Sequence, residues 1–384
     1  MIGLRCARLF DGDTMHHGPR TVVLDGGRIV GFDDAAVDVV DLGDVTLMPG
    51  LVDAHTHLVF EPGGDTVGDM TSLPREDLLE RMRRHAVQAL RAGITTVRDL
   101  GDRDYLAVDL RESTSGLLPE ILAAGPPITT PGGHCWFLGG EVPADRDALI
   151  DAVAERLARG VDVVKVMATG GGITAGSSPH QSQYDLDQLS AIVDAAHSVG
   201  LPVTAHAHGG DGIRDAVRAG VDGIEHATFL TADGAAPDWG TIREIIAAGT
   251  YVGVTAGRLL GDDTPPTPPH VIKARAFLPQ MLREGARVVC SSDAGIIAYK
   301  PHNCLPYGLP EFQRFSALSA EAVLTSVTRL AAESCGLGAR KGRIAPGYDA
   351  DLLVVFGDPT SDLTAVRSVS AVYRAGTPVD LSVR

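Results

Sequence analysis

The sequence has few of the features that mark a secreted, membrane-spanning or nucleic-acid-binding protein. Its five cysteines are scattered and form no CxxC pair, which argues against a disulfide framework and against a zinc knuckle. No apolar run reaches transmembrane length, and the first residues lack the apolar core of a signal peptide. The net charge of −16 argues against a nucleic-acid or anionic-membrane partner. We therefore expect a cytoplasmic protein with reduced thiols and a small-molecule partner; self-association into a homo-oligomer stays open.

The composition is that of a large folded chain, since 44% of its 384 residues are hydrophobic and 21% are charged. Residues 1–50 and 340–384 have the pattern of short strands and hairpins, with a turn at Gly26-Gly27. In residues 51–339, helix-like and strand-like stretches alternate. This organisation predicts an α/β fold, a (β/α)8 TIM-like barrel with a small discontinuous β-sandwich domain built from both termini. A doubly wound parallel sheet is the alternative.

Polar side chains lie at the ends of several predicted barrel strands. His55 and His57 are two positions apart, so they project from the same face of a strand. Lys165 lies in a fourth strand, and later strands carry His206, His208, His226 and Asp293. Each residue alone has an ordinary structural interpretation, such as a hydrogen-bonded histidine or an aspartate that caps a helix. Because a barrel gathers the carboxyl ends of its strands, their joint occurrence favours a shared metal site.

Lys165 is the sharpest of these candidates. It lies between Val163-Val164 and Val166-Met167, where a charged ammonium would be desolvated. Burial lowers the pKa of a lysine and favours the neutral amine, which can add CO2 and become a carbamate. The two carbamate oxygens could bridge two metal ions. The alternative is an ordinary lysine whose ammonium reaches solvent.

Together these pieces resemble the amidohydrolase superfamily. The matching motifs occur in the order that is typical of that family: PGLVDAHTH, VKVMATGG, the later histidines, CSSDAG and GRIAPGYDADLLVV. The stretches TTVRDLG, TPGGH and GGGITAGSSPHQSQY most resemble its imidazolonepropionase-related group. That group contains Xaa-Pro dipeptidases (prolidases) and arginine or lysine carboxypeptidases. The resemblance implies two divalent metal ions, with Zn²⁺ expected from imidazole and oxygen ligands. Its implied ligands are His55, His57, Lys165 as the carbamate, His206, His226 and Asp293.

The implied reaction is hydrolysis of an amide or peptide bond in a small substrate, of the dipeptide or N-acyl amino acid type, by a metal-bridging hydroxide. Asp293 is the expected catalytic proton shuttle. His134 and His208 are further catalytic candidates that would contact the substrate, although related peptidases often have tyrosine at the position of His208. The alternative is a mononuclear deaminase or cyclic-amide hydrolase of the imidazolonepropionase type, which does not need Lys165. A non-catalytic scaffold is disfavoured because all the ligand positions are filled.

Several weaker expectations concern the surroundings of this site. Gln183 and Tyr184 are candidates to line the pocket, and Arg98 and Asp99 are expected to form a structural pair. The proline-rich stretch from Asp262 to His270 is predicted to be a loop, and whether it moves over the site stays open. The acidic net charge favours a cationic substrate only weakly, because the positions of the charges are unknown. The remaining histidines are interpreted as solvated or packing residues.

Overall fold

The computed structural model describes residues 1–32, 37–113, 117–261 and 264–382. Its strands are β1 (Ile2–Phe10), β2 (Met15–Asp25), β3 (Arg28–Gly31), β4 (Asp38–Asp41), β5 (Val45–Pro49), β6 (Leu51–Thr56), β7 (Ile94–Asp99), β8 (Glu120–Ala123), β9 (Val164–Met167), β10 (Val203–Gly209), β11 (Gly223–Thr231), β12 (Gly234–Ala235), β13 (Tyr251–Thr255), β14 (Arg287–Ser291), β15 (Leu352–Phe356), β16 (Val369–Arg374) and β17 (Thr377–Pro378). Its α-helices are α1 (Thr66–Ser72), α2 (Arg75–Arg91), α3 (Leu106–Glu112), α4 (Arg146–Arg159), α5 (Leu186–Ser198), α6 (Gly210–Ala219), α7 (Trp239–Ala248), α8 (Pro269–Arg275), α9 (Leu278–Arg283), α10 (Leu305–Ser316), α11 (Ala320–Ser326) and α12 (Arg329–Ser334).

Both ends of the chain contribute to one eight-stranded sheet with the order β17-β16-β15-β5-β1-β2-β3, in which β4 also pairs with β1. The antiparallel pairing of β15 with β5, with Val354 opposite Leu47, joins the C-terminal strands to the N-terminal ones. The turn between β2 and β3 is formed by Gly26 and Gly27, whose φ angles of 53° and 81° suit glycine. The predicted hairpin at this position is confirmed.

The middle of the chain forms parallel sheets. Strands β6, β7 and β8 make a three-stranded sheet, and β9, β10, β11, β13 and β14 make a second sheet to which β12 is attached. Apart from the antiparallel pair β11–β12, all neighbouring strands in these two sheets run parallel. Helices predicted from the sequence correspond to α2, α4, α5 and α6. The predicted α/β class with parallel strands is confirmed.

Backbone hydrogen bonds link the two parallel sheets at both of their edges. At one edge the N–H of Ile128, which follows β8, donates to the carbonyl of Lys165 in β9 at 2.8 Å. At the other edge the N–H of Asp293, which follows β14, donates to the carbonyl of His55 in β6 at 2.7 Å. These links hold predicted site residues from the first, fourth and last parallel strands in fixed register.

Capping residues explain where several helices begin and end. The carboxylate of Asp145 accepts hydrogen bonds from the first turn of α4, and Gly160 ends that helix with φ of 79°. Asp185 and Gln188 form a capping box at the start of α5. Helix α6 begins directly after β10, a little earlier than its apolar pattern indicates. In the described part of the chain, no helix has both the length and the apolar character needed to span a bilayer.

Candidate metal centre

A cavity of about 290 Å³ contains every residue that the sequence singled out for metal binding or catalysis. Its walls come from loops and strand ends of both parallel sheets. The predicted residues that line it are His55, His57, His134, Lys165, His206, His208, His226 and Asp293. Gln183 and Tyr184, which were predicted to line the pocket, are not among its lining residues. Gln183 instead holds the loop that carries His134, because its side-chain oxygen accepts from the N–H of His134 at 2.6 Å.

The first two histidines are oriented by acceptors on the side of the ring that faces away from Asp293. Nδ1 of His55 lies 2.9 Å from Oε2 of Glu225, and Nδ1 of His57 lies 3.0 Å from the carbonyl of Gly101. Both acceptors require a proton on Nδ1, so the Nε2 atoms carry lone pairs in the neutral rings. Each Nε2 lies 3.4 Å from Oδ1 of Asp293. Two lone pairs and a carboxylate oxygen therefore converge, which is an arrangement that a cation stabilises.

Two overlapping groups of side chains have the spacing of a metal site. The ligand atoms of His206, His208 and His226 lie within 4.8 Å of one another, and so do those of His55, His226 and Asp293. Burial lowers the pKa of His206 and of His226 well below the usual value, which keeps both rings neutral. Neutral imidazole is the form that binds metals. His226 belongs to both groups and links them.

Lys165 supplies the strongest sign that this cluster holds a bound group. Its side chain is buried, and Nζ has no hydrogen-bond partner among the described residues. Burial lowers the pKa of Lys165 to about 8, although Glu225 and Asp293 act in the opposite direction. A buried polar group without a partner is costly and rare in native proteins. The donor set of imidazoles, a carboxylate and this amine fits metal ions held together with a lysine carbamate.

Asp293 occupies a strained and enclosed position. Its φ of 55° lies in the left-handed region, which aspartate adopts more readily than most residues but still at some cost. Burial opposes ionisation, but the charge of His55 and a hydrogen bond from His57, when those rings are protonated, hold the pKa of the Asp293 carboxyl well below its usual range. The helix-cap alternative does not apply, because the next helix, α10, begins only at Leu305. Asp293 is thus a carboxylate directed at the histidines.

The two weaker catalytic candidates both lie against the histidine cluster. Nδ1 of His134 lies 3.0 Å from Oγ1 of Thr174, and its ring centroid lies 4.6 Å from that of His206. A side chain at Gly171 would place its Cβ 2.2 Å from Nε2 of His134, so the glycine leaves room for this ring. The ring of His208 stacks on that of His226 with a centroid distance of 4.4 Å. His208 therefore belongs to the histidine cluster itself.

Sequence reasoning missed Glu225, which organises one side of the cluster. Its carboxylate accepts from His55, from Oγ1 of Thr204 at 2.9 Å and from Nη2 of Arg98 at 3.2 Å. Burial raises its pKa, but the charge that His55 carries when it is protonated and the hydrogen bond from His55 dominate and bring the pKa to about 2. The expected pair of Arg98 with Asp99 is wrong, because Arg98 binds Glu225 while Asp99 accepts from a backbone N–H. The available signal was an acidic residue next to His226 in an apolar strand.

A second missed feature is a pair of stacked histidines behind His57. The rings of His85 and His302 are buried, with centroids 3.9 Å apart and an interplanar angle of 13°. Nδ1 of His85 lies 2.7 Å from the carbonyl of Leu58, and Nε2 of His302 lies 2.9 Å from that of His57. Their interpretation as packing residues was incomplete, since they also fix the backbone next to a candidate ligand.

Comparisons with known proteins agree with this geometry. A model described as the amidohydrolase family matches residues 46–379. The chain is 29% identical over 210 residues to the ochratoxinase of Aspergillus niger, covering 48% of this chain and 43% of that protein, so the match spans less than half of the relative. It is 23% identical over 404 residues to the imidazolonepropionase of Thermoplasma volcanium, covering 94% of this chain and 90% of that protein.

A solved structure of an Xaa-Pro dipeptidase with methionine in its active site superposes on this chain with a TM-score of 0.82. The two sequences are 26% identical, and the match covers 99% of each chain. These similarities confirm the predicted relationship to imidazolonepropionases and Xaa-Pro dipeptidases. The chain belongs to the amidohydrolase family.

Proposed function

We propose that the protein is a binuclear metal-dependent amidohydrolase that cleaves an amide or peptide bond in a small substrate of the dipeptide or N-acyl amino acid type. The observation that carries this proposal is the buried Nζ of Lys165, which has no hydrogen-bond partner among the described residues although imidazoles surround it. Its amine can add CO2 and release a proton to give a carbamate, which supplies two anionic oxygens. A lysine with a structural role alone would have an acceptor.

The residues proposed to hold the metals share one cavity and offer nitrogen and oxygen donors. Zinc suits this set, because it binds imidazole and carboxylate readily. A metal pair held there would polarise the amide carbonyl and make a water molecule more acidic. The proposed ligands are His55, His57, Lys165 as its carbamate, His206, His226 and Asp293.

The chain's own groups would manage the proton and the substrate. The ionised carboxylate of Asp293 would accept a proton from the attacking water and donate it to the leaving nitrogen as the C–N bond breaks. His134 faces the cavity and would donate a hydrogen bond to the substrate carbonyl, with Nδ1 tied to Thr174. His208, stacked on His226, would contact the substrate or position that ring.

We further propose that β6 to β11, β13 and β14 close into a (β/α)8 barrel over residues 51–339. The hydrogen bonds through Ile128 and Asp293, which link both edges of the two parallel sheets, support closure. The pairing of β15 with β5 supports a second, discontinuous β-sandwich domain from residues 1–50 and 340–384. The five cysteines are free thiols, which supports the proposal of a reducing, cytoplasmic setting.

A mononuclear hydrolase of cyclic amides is a second candidate, because His206, His208 and His226 alone have the spacing of a single metal site. Metal analysis of the purified, zinc-supplied protein separates the two candidates. The first requires about two ions per chain and the second about one. A screen of dipeptides and N-acyl amino acids, followed by detection of the released amine, then tests the reaction. One ion per chain with ring opening of a cyclic amide would contradict the binuclear proposal.

A further inference from the structure

Two arginines line the cavity and have no part in the reaction outlined above. Arg258 follows β13, and Arg275 is the last residue of α8. Their side chains are only 12% and 17% exposed. Guanidinium groups enclosed to this degree need anionic partners, because desolvating a cation is costly.

Both arginines donate hydrogen bonds to the same carboxylate. Nε and Nη2 of Arg258 donate to Oε2 and Oε1 of Glu311 at 2.8 and 3.1 Å, and Nη1 of Arg275 donates to the same Oε1 at 3.0 Å. Arg314 approaches that oxygen at 3.7 Å from outside the cavity, with a side chain that is 75% exposed. One buried carboxylate thus faces three guanidinium groups, and positive charge is left over on the cavity side.

The arginines are held in place yet keep hydrogen-bonding capacity. Nη2 of Arg258 also donates to Oγ1 of Thr267 at 2.8 Å, and the guanidinium of Arg275 lies 4.4 Å above the ring centroid of Phe315. Within residues 1–32, 37–113, 117–261 and 264–382, no group accepts from Nη1 of Arg258 or from Nε or Nη2 of Arg275. Rigid guanidinium edges with unused donors suit a second carboxylate.

The other groups around the cavity do not provide that carboxylate. Among the described residues that line it, Asp293 is the one acidic side chain, and it faces the histidines. Lys300, a further lining cation, donates to the backbone carbonyls of Thr255 and Ser292 at 3.1 and 2.6 Å. The remaining wall is largely apolar and includes Ile173, Val271, Ile296 and Ile297. The cavity is therefore cationic and apolar, although the whole chain carries a net charge of −16.

We propose that Arg258 and Arg275 form a carboxylate subsite, and that the natural substrate is an amide with an apolar body and a free carboxylate. This inference rests on the proposed hydrolase function and makes it more specific. The carboxylate could belong to the leaving amino acid or to the acyl part of the substrate. Both present the same planar, bidentate acceptor to a guanidinium fork.

Paired acids and amides test this subsite. N-acetyl-L-leucine has a carboxylate on its amine part, and N-acetyl-L-leucinamide has an amide there instead. The mono-isobutylamide of succinic acid has a carboxylate on its acyl part, and the corresponding diamide has a primary amide in its place. We expect the wild type to prefer the acid in at least one pair by tenfold or more in kcat/KM. The changes Arg258→Gln and Arg275→Gln should each reduce that preference by about 10–100-fold, because hydrogen bonds to a charged group are lost.

Arg314→Gln is the matched control, because it removes a third cation from Glu311 without altering the cavity wall. It should retain the preference. If Arg258→Gln does not fold, the double variant Arg258→Gln/Glu311→Gln is used instead. It also removes the Glu311 carboxylate, which would otherwise lose Arg258 as its main partner, and it allows the same comparison of acid and amide. Equal hydrolysis of acid and amide by the wild type, or a preference that survives in both arginine variants, would overturn the subsite.

Binding measurements keep this test independent of turnover. Calorimetric titration with 4-methylpentanoate and with its primary amide should show the acid bound at least tenfold more tightly by the wild type, and this difference should be lost in Arg258→Gln and Arg275→Gln. A carboxylate bound only at the metal centre would keep its advantage in these variants and refute the subsite. Normal discrimination in binding without hydrolysis of any amide would instead count against the proposed function alone.

Discussion

Two lysines in this chain are almost equally buried but have opposite surroundings. Lys165 is 1% exposed and Lys341 is 2% exposed. Nζ of Lys341 lies 3.0 Å from Glu120 and 3.2 Å from Asp349, and it also forms a close ion pair with Asp351. Nζ of Lys165 has no hydrogen-bond partner among the described residues. Burial alone therefore does not distinguish a structural lysine from a functional one; the presence or absence of partners does.

The same contrast extends to the groups around each lysine. At the junction between β8 and the terminal sheet, the carboxylate of Glu120 binds Arg340, Lys341 and Arg374, so positive and negative charges alternate. In the cavity, imidazole nitrogens and the carboxylate of Asp293 lie close together, and Nζ of Lys165 has no acceptor among the described residues. The first arrangement is complete as it stands. The second brings metal-ligating atoms together, which supports the proposed metal centre.

Replacing each of the two lysines by alanine gives the largest expected effect. Lys165→Ala should lose metal and activity together. The metal-free protein should lose only the packing of the lysine stem, because Nζ has no hydrogen-bond partner among the described residues. Lys341→Ala should destabilise the fold by about 1.5–3 kcal/mol, because Glu120 and Asp351 keep Arg374 as a partner but lose a buried hydrogen bond to a charged group. The folded fraction should keep its metals. Metal content and denaturant unfolding of both variants provide the measurement.

Chemical rescue sharpens the Lys165 result. A short carboxylic acid such as acetate could supply the missing oxygens, so it should restore part of the metal content and activity of Lys165→Ala. The exposed Lys273→Ala is the control and should behave as wild type. Wild-type metal content and turnover in Lys165→Ala would show that this amine is an ordinary, though unpartnered, buried group.

Asp293→Asn should have the next largest effect, and on rate more than on metal binding. An amide cannot take up the proton of the attacking water, so turnover should fall by about 10²–10⁴-fold. Most metal should remain, because the histidines and Lys165 are unchanged. Asp351→Asn, in the junction cluster, is the matched change and should leave turnover per folded chain intact. Turnover of Asp293→Asn within a few-fold of wild type, in a folded and metal-loaded protein, would contradict the proton-shuttle role.

The contrast between the two clusters also explains what the sequence could predict. His55 lies in β6 and His57 directly follows that strand, while His206, His208 and His226 lie in β10 and β11. Alternation and the apolar strands therefore made the α/β class and the candidate ligands predictable. The partners of Glu225 and Glu120 come from residues distant in the chain, and no local period encodes them. Arg98 illustrates the limit: it follows Val97 in a buried strand and binds Glu225 rather than its neighbour Asp99.

Glu225→Gln tests whether a fully paired carboxylate can nevertheless serve the metal centre. Its carboxylate fixes the tautomer of His55 through Nδ1 and so directs Nε2 into the cavity. Losing that charge should reduce metal affinity or activity by about 10–100-fold. Glu120→Gln removes a carboxylate that is also bound by arginine but lies in the junction cluster, and it should leave metal affinity unchanged. Equal metal affinity of Glu225→Gln and the wild type would mean that Glu225 has a structural role and does not support the metal centre.

Acid titration of stability gives the smallest effect and separates the junction cluster from surface ion pairs. Burial raises the pKa of Glu120, but a hydrogen bond from Arg340 and the charge of Lys341 dominate and bring it to about 2, below the ordinary value of 4.5. The folded state thus favours the ionised form, so this stabilisation is fully present above about pH 4.5 and is lost as the pH falls towards 2. Its upper limit is on the order of 3 kcal/mol, from the linkage between pKa and stability.

Urea unfolding of wild type and Glu120→Gln between pH 7 and pH 3 measures this contribution. The stability difference between the two proteins should be greatest near neutral pH and shrink below about pH 4.5, whereas any loss of metal in acid affects both proteins and cancels. Glu244→Gln is the control, because Glu244 also pairs with an arginine, Arg218, through two hydrogen bonds of 2.9 Å but lies at the surface. Surface pairs contribute little, so this variant should track the wild type at every pH. If the stability of Glu120→Gln also followed that of the wild type at every pH, the buried charges of the junction cluster would not stabilise the fold. The contrast with Lys165 would then depend on the cavity alone.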